Sequence, residues 1–397
     1  MHLRSVSVLL LFSFYSFHHL EKIMKPQVEK MVKISNLMLW LWVTATMTVQ
    51  CSKAAVAPRQ VAALFVFGDS LVDVGNNNFL SSLAKANYYP YGIDFTAGPS
   101  GRFTNGETFV DMLGRMLGIP YLPAFADPTT VGTRVLNGVN YASAAAGILD
   151  ETGRHYGQRY SLSQQVENFQ FITLNQLRTI MNGANLSQYL AKSIAILVFG
   201  SNDYLNNYLL PSLYSSSYIY SPPDYANLLL NRYTRQILAL YSMGLRKFLI
   251  TGVGPLGCIP YERASGQAQP GRCVDYVNQI LGTFNEGLRS LVTQLNTNHP
   301  DAKFLYGNTY AAFGDIINSP ATYGFSVADK ACCGIGGSYV GQITCLPFQM
   351  PCLNRSQYVF WDAFHPGEVA NAHLAWRAFS GSPTDCYPIN VQQMALL

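Results

Sequence analysis

The chain has 397 residues, of which 49% are hydrophobic, 13% are aromatic and only 12% are charged, and its net charge is +4. A chain of this length and apolar content can bury a sizeable core, which argues against long disordered regions. Its basic residues are scattered and do not cluster into a stripe, so binding to nucleic acid is not predicted.

Two short apolar runs, 8–17 and 37–49, lie at the N-terminus. Each is shorter than the roughly 20 residues that span a bilayer as a helix, so we predict no integral membrane segment in the mature chain. The second run follows Met31 and Lys33 and leads into small residues. This layout is typical of a secretory signal peptide.

We therefore interpret residues 1–57 as a signal region with an overlong N-terminal extension, and residues 58–397 as a single domain. In this interpretation Met31 is the effective start, and cleavage falls between Ala54 and Ala57. Export would give meaning to two N-glycosylation sequons, which begin at Asn185 and Asn354.

Apolar runs in the remaining chain predict strands, and amphipathic segments between them predict helices. The predicted strands are 61–67, 135–142, 193–199, 247–251 and 303–306. The predicted helices are 107–117, 163–181, 224–243, 273–296 and 366–379, with Thr104 or Asn105 available to cap the first. Strands that alternate with helices of this length are typical of βαβ units. The sequence therefore predicts one α/β domain, with three layers and a parallel sheet of about five strands.

The cysteines are concentrated toward the C-terminus. Apart from Cys51 in the signal region, they are Cys258, Cys273, Cys332, Cys333, Cys345, Cys352 and Cys386. An odd number remains, so at most three disulfides form and one thiol is left over. The four thiols from Cys332 to Cys352 fit zinc-ribbon spacing poorly, and an oxidising compartment favours disulfides. No metal site and no cofactor are therefore predicted.

The first predicted strand stops abruptly at Gly68, Asp69 and Ser70. Ligands of open α/β sheets bind at the carboxyl ends of the strands, which is where Ser70 would lie. A serine hydroxyl is a poor nucleophile at neutral pH and needs a base to take its proton. Most serines in such turns only cap a helix or tighten the turn, so a catalytic role requires partners from elsewhere in the chain.

The candidate bases are the histidines that follow the signal region, which are His155, His299, His365 and His373. His365 differs from the others because it lies three residues after Asp362. Positions i and i+3 of a turn face the same way, so Asp362 could orient the imidazole as the acid of a catalytic triad does. The same spacing also occurs in ordinary helix caps, so the pair alone is a weak indication.

A serine hydrolase also needs hydrogen-bond donors for the oxyanion. Gly147 follows the second predicted strand and Asn202 follows the third. Either residue alone would be read as an ordinary turn residue. Because the carboxyl ends of parallel strands meet at one edge of a sheet, we expect Ser70, Gly147 and Asn202 to lie close together.

Five segments of the chain occur in a characteristic order, namely FGDSLVDVGNNNF, GRFTNGE, NYASAAAGI, GSNDYLNNYL and YVFWDAFHPGE. They resemble the successive blocks of the plant GDSL esterase/lipase family, within the SGNH hydrolases. The resemblance covers nearly all of the chain after residue 61 and implies a flavodoxin-like three-layer fold. The G-x-S-x-G motif that carries the nucleophile in α/β-hydrolases is missing around Ser70, so the α/β-hydrolase fold is the poorer match. A small departure is Gly367, where relatives often carry threonine; it should cap the last helix slightly less well.

This resemblance implies a triad of Ser70, Asp362 and His365, and an oxyanion hole formed by Ser70, Gly147 and Asn202. The implied protein is a secreted serine esterase or lipase, extracellular in the cell wall or apoplast, that hydrolyses a small-molecule or lipid ester through an acyl-enzyme. Two alternatives stay open. One is an acyltransferase that passes the same acyl group to an alcohol. The other is a catalytically silent secreted binding protein.

Overall fold

The computed structural model describes residues 61–266 and 271–397, together with residues 26, 30, 31, 33 and 35–38. The chain divides into two compact units, Met1–Pro58 and Arg59–Leu397. The described residues of the first unit are helical and exposed. The predicted cleavage site between Ala54 and Ala57 lies outside the described residues. Among the residues that are described, no helix is long and apolar enough to cross a membrane.

A six-stranded sheet forms the centre of the second unit. Its strands are β1 (Leu64–Gly68), β2 (Gly138–Asn140), β3 (Ile194–Val198), β4 (Lys247–Thr251), β5 (Lys303–Gly307) and β10 (Cys386–Tyr387). Their order is β10-β5-β4-β3-β1-β2, with β1 to β5 parallel and β10 antiparallel to β5. The five predicted parallel strands are thus confirmed. The sequence analysis did not predict β10, because two residues are too short to give a periodic signal.

The sheet is buried on both faces, and its sequence shows why. Every residue of β1, β3 and β4 is buried, as expected for continuous apolar runs in a parallel sheet that is covered on both sides. In β1, Phe65 and Phe67 pack into the hydrophobic core on one face, whereas Leu64 and Val66 pack into the core on the other. This alternation confirms the predicted three-layer α/β/α architecture.

Helices cover both faces of the sheet. They are α1 (Phe109–Met116), α2 (Leu162–Asn168), α3 (Leu174–Ile180), α4 (Gly183–Ala191), α5 (Ser201–Asp203), α6 (Ser216–Ile219), α7 (Pro222–Ser242), α8 (Pro260–Ala264), α9 (Asp275–Asn298), α10 (Thr309–Asn318), α11 (Glu368–Ser380) and α12 (Val391–Ala395). Two π-helical segments are Phe169–Thr173 and Tyr204–Tyr208. Short 3₁₀ turns are Asn76–Phe79, Gly132–Asn137, Arg154–Tyr156, Leu256–Cys258, Pro320–Tyr323 and Arg355–Gln357.

Two details of the predicted helices were wrong. The single helix predicted at 163–181 is interrupted by the π segment Phe169–Thr173. The first helix begins later than expected, and Thr108 caps it by a reciprocal box with Asp111. Thr104 and Asn105 instead reach the start of the last helix. The Thr104 hydroxyl donates to the Pro366 carbonyl at 3.1 Å, and the Asn105 amide oxygen accepts from the Glu368 N–H at 2.9 Å.

Between α10 and α11 the chain forms an irregular segment, 327–365, that we call the stapled region. It contains two small sheets, in which β6 (Val327–Ala331) pairs with β9 (Tyr358–Phe360) and β7 (Gly334–Ile335) pairs with β8 (Ile343–Thr344). Two disulfides close it, Cys332–Cys352 and Cys333–Cys345.

The disulfide count agrees with the prediction. The third bridge is Cys258–Cys273, and Cys386 is the buried free cysteine. The four thiols that were weighed as metal ligands are all paired with one another.

Candidate active site

Ser70 lies just beyond β1, at the carboxyl edge of the sheet. The turn that presents it is fixed by Asp69, whose carboxylate accepts from the Leu71 N–H at 3.0 Å and whose carbonyl accepts from the Val72 and Asp73 N–H groups. The Ser70 N–H has no hydrogen-bond partner among the described residues. The main-chain N–H of Ser70 is therefore available to a ligand.

His365 and Asp362 come from the end of the stapled region, immediately after β9. The Nε2 atom of His365 lies 2.8 Å from the Ser70 Oγ, and its Nδ1 atom lies 2.8 Å from both carboxylate oxygens of Asp362. The Asp362 carboxylate also accepts from the N–H groups of Phe364 and His365, at 2.8 Å each. These bonds hold the i, i+3 turn that the sequence predicted. Ser70, His365 and Asp362 form one continuous hydrogen-bonded chain.

A further donor to the Asp362 carboxylate is Tyr91. The buried Tyr91 hydroxyl donates to Asp362 Oδ2 at 2.5 Å and also lies 3.2 Å from the Thr344 Oγ1. Burial alone would raise the pKa of Asp362, but His365, Tyr91 and the Phe364 N–H together hold that pKa below its usual value. Asp362 is therefore held ionised in a fully buried position, where it can orient the imidazole.

Asn202 follows β3 and lines the same cavity as Ser70. One N–H of its amide donates to the Ala146 carbonyl at 3.0 Å, and its oxygen accepts from Asn206 at 2.6 Å. These two bonds fix the amide group and leave its second N–H available to a ligand.

Gly147, which the sequence predicted as an oxyanion donor, is not among the residues that line the cavity. A Cβ atom at Gly147 would lie 2.4 Å from the Thr152 Cγ2 and 2.5 Å from the Asp203 Oδ1, so the glycine is required for close packing. The cavity wall at this point is formed by Ala144 and Ala145. Ala145 has a φ of 65°, and no described residue accepts a hydrogen bond from its N–H.

Comparison with known proteins identifies the relationship. Residues 64–377 match the model of the family described as GDSL-like lipase/acylhydrolase. The Arabidopsis thaliana protein GDSL esterase/lipase At1g71250 is 62% identical over 366 residues, which cover 92% of this chain and 97% of the relative. GDSL esterase/lipase At5g08460, also from Arabidopsis thaliana, is 53% identical over 84% of this chain and 88% of its own. The chain belongs to the GDSL-like lipase/acylhydrolase family. The resemblance inferred from the five motifs is confirmed.

The family's GDS turn is supported in this chain by buried carboxylates that the sequence analysis did not single out. The carboxylate of Asp73 accepts from the Gly75 and Asn76 N–H groups at 2.7 Å and from the Ala144 N–H at 3.1 Å. This network joins the segment after Ser70 to the loop that carries Ala145. Burial, partly offset by these bonds, raises the pKa of Asp73 to about 6.

Asp203 also holds the loop after β2 in place, through hydrogen bonds on the other side of that loop. Its carboxylate accepts from the Ile148 N–H at 2.8 Å, the Leu149 N–H at 3.1 Å and the Thr152 hydroxyl at 2.8 Å. Because Asp203 is the neighbour of Asn202, it ties the end of β3 to the loop after β2. A D-x-G or N-D pattern in the sequence gives no signal of such long-range bonds, which is why these residues were missed.

Asp69 is the exception among these carboxylates, because its Oδ2 atom is buried without a hydrogen-bond partner in the described structure. Burial raises its pKa to about 7, against the lowering effects of the Leu71 N–H and the nearby His365. Near neutral pH this carboxyl is therefore divided between its neutral and ionised forms.

Proposed function

We propose that this GDSL family member is an exported serine esterase or lipase, which cleaves carboxylic esters through an acyl-enzyme on Ser70. Family membership supplies the reaction class, namely ester hydrolysis. The observation that carries the mechanism is the hydrogen-bonded chain from the Ser70 Oγ through His365 to Asp362. The Nε2 atom of His365 lies 2.8 Å from the hydroxyl oxygen, which is within reach of direct proton transfer and supports a role as the base.

In the first step His365 takes the Ser70 proton while Oγ attacks the ester carbonyl carbon. Asp362 stabilises the imidazolium that forms. The tetrahedral intermediate then collapses, and the alcohol leaves with the proton held by His365. In the second step His365 activates a water molecule, which attacks the acyl-enzyme and releases the carboxylic acid.

The developing oxyanion needs donors that are already in place. The Ser70 N–H and the second N–H of Asn202 suit this role, because they face one cavity and are not used elsewhere. For the third donor, Ala145 is better supported than Gly147. Ala145 lines the cavity and its N–H is unpaired among the described residues, whereas Gly147 packs against Thr152.

The test is covalent labelling together with turnover. An alkyl fluorophosphonate should label the parent protein at Ser70, and Ser70→Ala should abolish both the label and the hydrolysis of p-nitrophenyl butyrate. Ser242→Ala, which removes an exposed hydroxyl at the end of α7, should change neither. Parent-like hydrolysis by purified Ser70→Ala would refute the mechanism.

The same experiment separates the alternatives. A silent binding protein would not react with the fluorophosphonate. An acyltransferase would react, but in the presence of a hydroxyl acceptor its main product would be a new ester and not the free acid. Hydrolysis is favoured here because the family description names lipases and acylhydrolases.

Export is supported by the three disulfides, which form in oxidising compartments, and by the signal-like segment before residue 58. N-terminal sequencing of the mature protein tests it. A mature chain that begins near Ala54 to Ala57 is expected, and one that retains the apolar run 37–49 would contradict export by a cleaved signal peptide.

A further inference from the structure

The cavity that contains Ser70 extends across most of the sheet. Besides Ser70 after β1, it is lined by Phe199 after β3, Gly252 after β4 and Asn308 after β5. Since β1, β3, β4 and β5 are consecutive neighbours in the sheet, this path crosses three inter-strand spacings, or about 14 Å. The cavity is therefore an elongated groove, with Ser70 toward one end.

The two sides of Ser70 differ in their exposure. Toward β4 and β5 the lining combines the polar residues Thr251, Asn308 and Thr309 with buried apolar residues, of which Leu256, Ile259, Ala312 and Phe313 are each 7% exposed or less. We call this part the enclosed arm. On the other side the lining includes Leu83, which is 82% exposed, so the groove opens to solvent there.

The far end of the enclosed arm carries charges that are already neutralised. Arg377 lies at this end, where its guanidinium contacts Asp385 at 2.6 Å and Asp315 at 2.7 Å. Asp385 also lines the cavity. A ligand that fills the arm therefore meets an apolar wall and then a satisfied ion-pair network, which favours an uncharged apolar chain over one that ends in a charge.

We infer that the enclosed arm binds the acyl chain of the ester, and that its length of about 14 Å suits a medium-length chain. This inference rests on the proposed function and deepens it. The acyl group stays attached to Ser70 through both steps, so it suits the part of the groove that is closed. The alcohol must leave and water must enter between the steps, so they use the side at Leu83 that is open to solvent.

Small residues in the arm allow a direct test. Ala312 on α10 is 4% exposed and lines the arm, whereas the adjacent Ala311 is partly exposed and does not. Ala312→Leu should shorten the arm, and Ala311→Leu is the matched control with the same change on the same helix. kcat/KM is measured for p-nitrophenyl butyrate and p-nitrophenyl laurate.

For Ala312→Leu we expect kcat/KM for the laurate to fall about tenfold or more, because one misplaced methyl-sized group in an apolar pocket has effects of this order. Its kcat/KM for the butyrate should fall much less than for the laurate, and an unchanged circular dichroism spectrum shows that the variant is folded. Ala311→Leu should match the parent on both esters.

Two results would overturn the inference. One is an unchanged preference between butyrate and laurate in Ala312→Leu. The other is a loss that follows the length of the alcohol, seen by comparing methyl and octyl butyrate, because it would place the alcohol in the arm. Failure of the proposed function looks different, since the parent would then hydrolyse none of these esters and Ser70 would not be labelled.

Discussion

The proposed triad is assembled from two regions that are built in different ways. Ser70 and Asn202 follow strands of the central sheet, where continuous apolar runs and parallel pairing fix their positions. Asp362 and His365 belong to the stapled region, where regular structure is scarce and two disulfides hold the chain. Packing of the sheet thus positions Ser70, whereas cross-links and side-chain hydrogen bonds position His365.

The largest effect on activity, after loss of Ser70 itself, should come from the sheet side. Asn202→Ala removes one oxyanion donor whose position is fixed by Ala146 and Asn206. We expect kcat to fall about 10²–10³-fold with a much smaller change in KM, because this donor acts mainly on the transition state. Steady-state kinetics with p-nitrophenyl butyrate measures this, and a change confined to KM would count against the oxyanion role.

The stapled region should respond to loss of a cross-link. Replacing Cys333 and Cys345 by serine should lower the free energy of unfolding by about 3 kcal/mol, the usual scale for a loop of this size. It should also lower kcat, because the Cys345 carbonyl holds Tyr88 and the neighbouring Thr344 contacts Tyr91. Urea unfolding and kinetics on the same preparation provide both values.

The matched control is the pair Cys258 and Cys273, which closes a loop of similar length, with a sequence separation of 15 against 12. Its removal should cost about the same stability and leave the triad in place. If both double variants lost activity equally, the stapled region would have no special role in positioning the base.

A smaller effect is expected from Tyr91→Phe, which deletes one donor to Asp362 while keeping the ring. We expect kcat to fall about tenfold and stability to fall by about 1.5–3 kcal/mol, the range for a bond to a charged group. The folded-state pKa of Asp362 lies below the unfolded value of about 4, so its contribution is present above that pH and is lost as the pH falls through the folded pKa.

The stability difference between Tyr91→Phe and the parent should therefore shrink in acid. Tyr141→Phe is the control, since this buried tyrosine donates to the uncharged Thr173 hydroxyl at 2.6 Å, away from the cavity. The loss of stability caused by Tyr141→Phe should not change with pH. Equal pH dependence in the two variants would show that Tyr91 serves packing alone.

The smallest effect concerns the start of α11. Gly367 is the N-cap and makes no side-chain cap bond, while Asn105 already accepts from the Glu368 N–H. Its φ of −73° suits any residue, so Gly367→Thr should be tolerated and should stabilise the protein by only a few tenths of a kcal/mol. Thermal unfolding measures this, and a clear destabilisation would show that the contact with Asn105 leaves no room for a side chain.

The sequence predicted the sheet side of the site well, because buried strands give long apolar runs that end at Gly68 and Gly200. It also predicted the Asp362–His365 turn, which depends only on local spacing. It could not place Ala145, since an alanine at positive φ gives no signal of its conformation. Tyr91 was missed as well, because it lies 271 residues from Asp362 and the contact depends on the path of the stapled region.

The bond between Ser70 and His365 joins positions 295 residues apart. As the chain is synthesised from its N-terminus, the proposed nucleophile is complete long before its proposed base exists. In a nascent or truncated chain, Ser70 therefore lacks a partner that could accept its proton, and we expect no acyl-enzyme to form at a useful rate. On the proposed mechanism, reactivity at Ser70 therefore appears only after the segment that carries His365 has docked on the sheet.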